Sequence, residues 1–461
     1  MKLKTITIKN FRCFDQLTLD LHPELTVLIA PNGAGKTTLL DASRIAVWPF
    51  VKAFDLGSQT GKSATIQIDD VRKVMRENGN MEPVTPSKII ANGQWQDNST
   101  FETWEQKREK LKPRTQSTYD TTAKSLMQFG ESLQKEIRKE SQSTPVNLPV
   151  VAYLGTGRIW YQGRHSSVVE DKPLDQSIYS RTWGYRDCLS MSSNYKQFEE
   201  WYGWIYRSFR EQQIICLEKN IPLNGAALIF QDAIEVIKTA VNGTIQDDTG
   251  WHDIAYSASH QQQIVLTHPN HGEIPLSLLS DGLRNTVVMV AEIAFRCIKL
   301  NPHFGKEAAR KTTGIVMIDE IDMFLHPAWQ QTIIDSLRNV FPRVQFIITT
   351  HSPQVLSTID SESIRIFKGS NVHHAPKGTK GAESSRILKR VLGVEVRPQN
   401  DKNTQLLNRY LELVYADKWL SDEAKVKRLQ LDNIYADEEP ALTEADLYIE
   451  NREWEKEIEK N

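Results

Sequence analysis

A glycine-rich turn that contains a lysine and two threonines, Pro31–Thr38, holds the residues of this sequence best suited to chemistry. It follows a short apolar run, Leu25–Ile29, and precedes residues with helical spacing, so we expect it to join a buried strand to a helix. Small residues let backbone N–H groups approach phosphate oxygens, and a helix N-terminus adds positive potential. The residues of this turn predicted to contact a nucleotide are Asn32, Gly33, Ala34, Gly35, Lys36, Thr37 and Thr38.

Two side chains of this turn have separate expected tasks. Lys36 can reach the β- and γ-phosphates of a nucleoside triphosphate, and the Thr37 hydroxyl can ligate Mg²⁺. The GxxxxGK pattern has glycine where this chain has Ala30. Alanine fits the turn if its φ is negative, so the prediction stands. The competing structural interpretation is a glycine-rich turn that happens to precede a lysine.

An apolar run that ends in two carboxylates, Ile315–Glu320, is the second candidate. We expect Asp319 to hold Mg²⁺, directly or through water, and Glu320 to polarise the attacking water as general base. A strand ending in an acidic turn would look the same, but a second apolar run, Val344–Ile348, also leads into polar residues, and among them His351 can contact a γ-phosphate. The predicted catalytic residues are Glu320, His351 and Lys36, and the predicted metal ligands are Thr37 and Asp319.

A third candidate, Leu279–Asn285, precedes a predicted helix. Its Ser280 lies 39 residues before Asp319. Ser280 and Gly282 offer a hydroxyl and backbone N–H groups at a helix N-terminus, which suits an anionic ligand. The segment alone would be interpreted as a plain N-capped helix, and its place between the glycine-rich turn and the acidic strand is what suggests a role in the same site.

These candidates require elements that bring distant segments together. Short, nearly continuous apolar runs at 25–29, 148–153, 314–318 and 344–348 predict buried parallel strands of an α/β fold. In open α/β sheets, ligands bind at the carboxyl edge of such strands, where the glycine-rich turn, the carboxylates and His351 all lie. Alternating apolar residues before residue 22 predict a hairpin, and helical patterns follow residue 380.

Composition restricts the function classes. The chain has 461 residues, with 56 Lys and Arg against 58 Asp and Glu, so its net charge is −2. It is not basic throughout, and any nucleic-acid contact must be local. No run approaches the roughly 18 apolar residues that span a bilayer, and the first residues alternate instead of forming a signal-peptide core. Its four cysteines contain no CxxC pair, which favours a reducing cytoplasm over a disulfide framework or zinc site.

The order of these segments resembles that of Walker A, signature, Walker B and switch-histidine motifs in ABC-type ATPases of the SMC/RecF/OLD group. Asn10-Phe11-Arg12 is similar to the entry of that group's first hairpin. The resemblance implies an α/β fold, an ABC-type P-loop NTPase head with an antiparallel β lobe, helical insertions and a helical C-terminal tail. It further implies ATP and Mg²⁺ as cofactors, Arg12 near the nucleotide, and a homodimer in which Ser280 and Gly282 complete the ATP site of the second copy.

Within the group, Tyr153–Arg158, Asp319–Pro327 and the helical C-terminus look most like the ATPase subunits (PtuA) of the Septu anti-phage system. That resemblance implies a nucleotide-sensing regulatory subunit, assembly of dimers into higher oligomers, and DNA cleavage by a separate HNH nuclease subunit (PtuB-like). Two positions depart from the general pattern. No Q-loop glutamine is identifiable, leaving Arg158 or Gln162 as substitutes, and His326 stands where many ABC proteins have aspartate.

The motifs and the resemblance together divide the chain into six predicted segments. They are an ATPase head, first part, at 1–49, an insertion at 50–147, a returning head strand at 148–174, a helical insertion at 175–250, the second part of the head at 251–379 and a helical C-terminal region at 380–461.

Several alternatives stay open at this point. A RecF/SMC-like DNA repair ATPase without a nuclease partner, or the ATPase subunit of a transporter, would share the motifs. The basic run Lys107–Arg114 is either a solvated face or a contact to DNA phosphates. Trp201 and Trp204 belong to a core or to an interface. His268 and His271 suggest metal but fit a hairpin tip better, and Asp437–Glu439 fits a solvated loop better than a nuclease site.

Overall fold

The computed structural model contains two compact units, Met1–Ile387 and Leu388–Asn461. The residues that the structure describes are 1–58, 63–77, 79–96, 100–113, 115–139, 145–159, 176–191, 195–223, 225–369, 371–436 and 438–458.

The strands of the described residues are distributed over four sheets. Their bounds are β1 Lys2–Phe11, β2 Phe14–Asp20, β3 Leu25–Ile29, β4 Lys73–Met75, β5 Met81–Pro83, β6 Ser87–Gln94, β7 Glu102–Arg108, β8 Thr118–Tyr119, β9 Val150–Leu154, β10 His252–Ser257, β11 Gln263–His268, β12 Gly272–Pro275, β13 Gly314–Ile318, β14 Val344–Thr349, β15 Ile364–Lys368 and β16 Asn371–His374.

The α-helices include several of a single turn. Their bounds are α1 Lys36–Lys52, α2 Asp55–Ser58, α3 Thr121–Ile137, α4 Tyr195–Glu218, α5 Gly225–Thr249, α6 Asp281–Leu300, α7 Ala308–Lys311, α8 Pro327–Gln330, α9 Ile333–Val340, α10 Pro353–Leu356, α11 Ser384–Ile387, α12 Lys402–Tyr415, α13 Asp422–Tyr435 and α14 Pro440–Ile458. Over the part of the chain that the structure covers, none of these helices is long and apolar enough to cross a membrane.

A six-stranded sheet with the order β16-β15-β3-β14-β13-β9 forms the centre of the first unit. Its strands are parallel except for the edge strand β16. Every residue of β3, β9, β13 and β14 is buried, which explains why these strands are continuous apolar runs in the sequence. The parallel arrangement brings the carboxyl ends of β3, β13 and β14 to one edge, as the sequence predicts.

An antiparallel sheet with the order β2-β1-β6-β7-β8 forms a second layer. Three of its strands, β6 to β8, come from 50–147, the segment expected to be an insertion. Alternate residues of β6, including Ser87, Ile89 and Ala91, are buried, and β6 pairs along β1. The Trp104 indole N–H then donates to the Ala46 carbonyl at 2.8 Å, joining this sheet to α1. The segment therefore completes the antiparallel lobe.

The helices α4, α5 and α6 pack together in the first unit, beside the three-stranded sheet β10-β11-β12. Trp201 is buried, and its ring centroid lies 4.6 Å from that of Phe295 on α6. Trp204 stacks edge-on against Phe230 of α5 at 5.6 Å. Both tryptophans thus take part in packing between helices of the same chain.

The second unit consists mainly of α12, α13 and α14. It begins at Leu388, eight residues after the boundary predicted at residue 380. A small core that includes Leu407, Val414 and Leu431 holds the helices together. Glu439 is buried in this unit and pairs with Arg397 at 2.5 Å, so it is not part of a solvated loop. Asp437 lies outside the described residues.

Candidate functional site

The turn between β3 and α1 has the geometry of a phosphate-binding loop. Gly33 and Gly35 adopt φ values of +78° and +97°, which L-residues rarely adopt. A Cβ on Gly35 would lie 2.5 Å from the Phe14 ring, whereas the space beside Gly33 is open. Ala30 has a negative φ, so alanine meets the requirement that the sequence analysis set for this position.

The other residues of the turn differ in exposure. Asn32 is exposed, and the Ala34 N–H donates to the Pro31 carbonyl at 3.2 Å, which closes the turn. Thr38 is buried, and its side chain hydrogen-bonds that of Cys13. The exposed backbone at the tip of the turn is therefore the part that can approach an anion.

Lys36 is the first residue of α1 and is buried. Its Nζ donates to the Ala30 carbonyl at 2.9 Å. Burial lowers its pKa, and the negative charges of Glu320 and Asp319 oppose that shift. A buried ammonium within the field of two carboxylates is suited to holding an anionic ligand beside a cation.

Asp319 connects the turn to two strands of the central sheet. It follows β13, and its Oδ2 accepts a hydrogen bond from the Thr37 hydroxyl at 3.1 Å. Its Oδ1 accepts from the Thr349 hydroxyl, at the end of β14, at 2.6 Å. Hydroxyl and carboxylate oxygens are the ligands that Mg²⁺ prefers, usually together with substrate phosphates. The donor set of Thr37 and Asp319 therefore fits a magnesium ion.

Glu320 has a left-handed backbone, with φ +49°. Its N–H donates to the Thr349 hydroxyl at 2.7 Å, and its carbonyl accepts from Arg158 Nη2 at 2.8 Å. The two bonds hold the peptide groups on either side of this residue. Its side chain is part-exposed beside the turn that contains Lys36, where it can meet a water molecule.

His351 lies two residues after the end of β14 and is part-buried. Burial and the charge of Lys36 lower its pKa, although Asp322, Glu320 and Asp319 oppose this shift. The imidazole is thus neutral near pH 7 and can donate one hydrogen bond and accept another. Lys36, Asp319, Glu320 and His351 are close enough to affect one another electrostatically.

Arg12 pairs with two carboxylates, one of them on the helix that follows the glycine-rich turn. Its Nη1 lies 2.7 Å from Asp41 Oδ2 on α1, and its Nε lies 2.8 Å from Asp70 Oδ1. Burial acts to lower the pKa of Arg12, but the two carboxylates raise it more. The side chain is therefore ion-paired beside α1, and it connects the hairpin to the helix that follows the glycine-rich turn.

The signature segment lies at the N-terminus of α6. Ser280 is the exposed N-cap residue, and its hydroxyl makes no capping hydrogen bond. Gly282 is buried, and a Cβ there would come within 2.3 Å of the Phe324 carbonyl oxygen. Gly282 is thus required for close packing against the segment after Glu320, while Ser280 faces solvent.

Some residues at or near the site either had no predicted role or have contacts that differ from the predicted role. Arg158 was considered as a Q-loop substitute, but its guanidinium is buried and donates to backbone carbonyls and to Asn285. Gln162 lies outside the described residues. Thr349 was visible only as one of two threonines at a strand end, which is the signal that could have identified it. His326, at the D-loop position, caps α8 through Nδ1.

The remaining candidates lie elsewhere. Arg108 is buried and donates to the Ile66 and Thr115 carbonyls, and Lys107 pairs with Glu109 at 2.8 Å. Arg114 lies outside the described residues. His268 and His271 stack at 4.6 Å beside the β11–β12 hairpin. Across the described ranges, no group of three or more His, Cys, Asp or Glu side chains could hold a metal ion.

Comparisons with known proteins found two family models and several solved structures. A family model described as "AAA domain" matches residues 5–221. A second, described as "AAA domain, putative AbiEii toxin, Type IV TA system", matches residues 168–357. A solved structure of an Smc head domain bound to the C-terminal domain of ScpA, from Pyrococcus furiosus, covers 81% of this chain and 96% of that one, with 13% identity and a TM-score of 0.46.

Curated relatives come from several branches of one group. The Retron Ec83 probable ATPase of Escherichia coli is 27% identical over 100% of this chain and 89% of its own length. The Septu protein PtuA of Bacillus mycoides is 41% identical over 18% of this chain and 11% of its own length. The OLD nuclease of Thermus scotoductus is 24% identical over 79% of this chain and 62% of its own length. In its motif order, its site geometry and these relatives, the chain is similar to the ABC-type ATPases of the SMC/RecF/OLD group.

Proposed function

We propose that the chain binds and hydrolyses ATP with Mg²⁺ and acts as the nucleotide-sensing regulatory subunit of an anti-phage defence complex. It is an ATPase of the SMC/RecF/OLD type, related to retron and Septu ATPases. The observation that carries the ATPase proposal is the position of Asp319, hydrogen-bonded to Thr37 of the phosphate-binding turn and to Thr349 of the neighbouring strand. This arrangement sets a carboxylate beside the hydroxyl that would share its metal ion.

Each residue has a task in the proposed reaction. Backbone N–H groups of 32–38 hold the phosphates, and Lys36 exchanges its carbonyl partner for a phosphate oxygen. Thr37 and Asp319 hold Mg²⁺, which when bound neutralises charge on the β- and γ-phosphates. Glu320 takes the proton from the attacking water, and neutral His351 hydrogen-bonds a γ-phosphate oxygen. Arg12 acts through Asp41, by positioning the start of α1.

A second copy of the chain completes the site in this proposal. Ser280 is exposed at the N-terminus of the 20-residue helix α6, and its hydroxyl is not used as a cap. A two-fold dimer would place this terminus against the γ-phosphate held by the partner copy, with its dipole and hydroxyl directed at negative charge. Gly282 contributes by letting α6 pack closely on its own chain. Dimers of such dimers would be the higher assembly.

The proposed partner is a separate HNH-type nuclease subunit that degrades DNA. Support comes from the likeness of the chain to the Septu and retron ATPases. DNA would then be contacted through the complex. The four cysteines are free thiols, which suits a reducing cytoplasm.

Co-expression with the products of the adjacent reading frames tests this function. We expect an HNH-containing protein to co-purify, and DNA degradation by the complex to depend on whether ATP is present. Purification of the chain alone, with DNA-stimulated ATP turnover and no nuclease partner, would instead favour a RecF/SMC-like repair ATPase. The matched complex carrying Lys36→Ala should lose the nucleotide dependence while keeping the same mass by light scattering.

A further inference from the structure

The Arg158 side chain is enclosed in the first unit with its guanidinium fully engaged. Nε donates to Asn285 Oδ1 at 3.0 Å, and Nη2 donates to the Glu320 carbonyl at 2.8 Å. Nη1 donates to the Asp319 carbonyl at 2.6 Å, and also to the carbonyls of Leu154 and Gly155. Every nitrogen of this group therefore has an acceptor on another part of the chain.

This guanidinium remains charged although it is 6% exposed. Burial lowers its pKa to about 10, and the nearby charges of Asp319 and Glu320 limit the shift. None of its hydrogen bonds goes to a carboxylate; the acceptors are backbone carbonyls and one amide. Arginine suits this position because its planar fork reaches several acceptors at once, whereas a lysine ammonium is a single point.

The Arg158 bonds join three elements. One is the end of β9, the second is the turn that contains Asp319 and Glu320, and the third is α6 through Asn285. The turn depends on this support because Glu320 has φ +49°. L-residues rarely adopt such a backbone unless their surroundings hold it.

The N-terminal part of α6 also packs directly on the segment after Glu320. Asn285 Nδ2 donates to the Met323 carbonyl at 3.4 Å. Gly282 approaches the Phe324 carbonyl so closely that no Cβ would fit between them. A shift of this end of α6 must therefore move Arg158, the 323–325 segment, or both.

We propose that Arg158 is a positioning residue that transmits the position of the signature helix α6 to the general base Glu320. This inference rests on the proposed function, in which Ser280 of α6 meets the nucleotide held by the second copy. Occupancy of one site then fixes α6 of the opposite chain. Through Asn285 and Arg158, the helix fixes the Glu320 backbone in that chain's own site, so the two sites hydrolyse ATP cooperatively.

The experiment compares substitutions on both sides of the Arg158–Asn285 hydrogen bond, in the full-length chain. Asn285→Leu keeps the branched shape of the side chain but removes both its acceptor and its donor, and Asn285→Asp retains the acceptor for Arg158 while losing the donor to the Met323 carbonyl. Arg158→Lys retains the positive charge, but a lysine ammonium cannot donate to Asn285 and to the backbone carbonyls at the same time. Arg181→Lys is the matched control, because Arg181 is also a partly buried arginine that donates to carbonyls, those of Leu300 and Val146.

The measurements are ATP affinity, kcat and the Hill coefficient for ATP hydrolysis. Asn285→Leu should leave the Kd for ATP within about twofold, lower kcat roughly 10-fold and bring the Hill coefficient to about one, since it removes both hydrogen bonds by which Asn285 connects α6 to Arg158 and to the segment after Glu320. Asn285→Asp should retain cooperativity. Arg158→Lys should lower kcat on the order of 10²-fold, as a displaced general base would. Arg181→Lys should leave kcat and the Hill coefficient unchanged.

Several results would overturn the inference. One is a Hill coefficient and kcat of Asn285→Leu equal to those of the wild type. Another is an equal loss in Arg181→Lys and Arg158→Lys, which would indicate a general effect of buried arginine. If Arg158→Lys fails to fold, the Asn285 pair decides alone. A wild-type chain that neither binds ATP nor dimerises would reject the proposed function together with the coupling, whereas a cooperative wild type with an indistinguishable Asn285→Leu rejects only the coupling.

Discussion

The Thr349 hydroxyl donates a 2.6 Å hydrogen bond to Asp319 Oδ1 and accepts one of 2.7 Å from the Glu320 N–H. One side chain at the end of β14 thus orients both residues that follow β13. Thr37 uses the other oxygen of the Asp319 carboxylate. The carboxylate is therefore aimed by a hydroxyl on each side, and its orientation depends on the register between the two parallel strands.

Replacing Thr349 by valine should weaken the metal site while preserving the shape of the side chain. Loss of a hydrogen bond that orients a metal ligand typically costs about 10- to 100-fold in metal affinity or activity. We expect the Mg²⁺ concentration for half-maximal ATP hydrolysis to rise within that range. Thr349→Ser, which keeps the hydroxyl, should stay near the wild type. A Mg²⁺ titration of Thr349→Val that overlays the wild type would show that this hydroxyl does not orient the ligand.

Lys36→Ala should remove ATP binding. Charge-assisted hydrogen bonds contribute about 1.5–3 kcal/mol each, so losing those to the β- and γ-phosphates should reduce affinity by at least about 10²-fold. Isothermal titration calorimetry with MgATP measures this directly. Lys124→Ala, on the exposed face of α3, is the matched control and should bind normally. Equal affinity of Lys36→Ala and wild type would reject the phosphate-binding role of the turn.

Glu320→Gln should retain nucleotide while slowing its hydrolysis. An amide can accept a hydrogen bond from water but cannot take its proton, and losing a general base typically costs about 10²-fold or more. We expect ATP to remain bound and a dimer to accumulate, as measured by phosphate release and light scattering. Glu307→Gln, at an exposed position, serves as the control. Wild-type turnover in Glu320→Gln would assign the base to another residue.

The central sheet and the chemistry at its edge were accessible from the sequence because both are local signals. The apolar runs that became β3, β13 and β14 are fully buried strands, and each is followed at once by its functional residues. Helix α6 begins at Asp281, within the Leu279–Asn285 segment that was expected to precede it. Local periodicity suffices where a short apolar strand ends in polar residues.

Long-range pairings explain what the sequence did not reveal. The strand β6 pairs with β1 across 79 to 92 residues of sequence, and its half-polar sequence resembles an inserted loop until its partner is known. Arg158 and Asn285 are 127 residues apart, and although each ends a segment that the sequence singles out, nothing in either segment indicates that the two residues are partners. Arg12 pairs with Asp41 and Asp70, which carry no signal in the sequence that would identify them as its partners.

The lowered pKa of His351 determines whether the free energy of unfolding rises or falls with pH. Burial and Lys36 lower this pKa from 6.5 in the folded chain. As the pH falls through about 6.5, the unfolded chain takes up the proton first, so the free energy of unfolding decreases. His351→Gln, which cannot be protonated, should show a shallower decrease. Urea unfolding at pH values on both sides of about 6.5 measures how the free energy of unfolding changes with pH in the wild type and in His351→Gln. Equal slopes for the two proteins would mean that His351 titrates normally in the folded chain.

Ser280→Arg should separate ATP binding from hydrolysis. The exposed N-terminus of α6 is distant in sequence from the phosphate-binding turn. A bulky cation at this N-terminus would prevent a second copy from closing on the nucleotide. We expect ATP affinity to be unchanged, the ATP-dependent dimer to be lost, and turnover to fall on the order of 10²-fold, as when a donor to the transition state is removed. Ser125→Arg, on the exposed face of α3, should dimerise and turn over normally. Full turnover by a Ser280→Arg monomer would mean that each chain completes its own site, and the shared-site proposal would have to be abandoned.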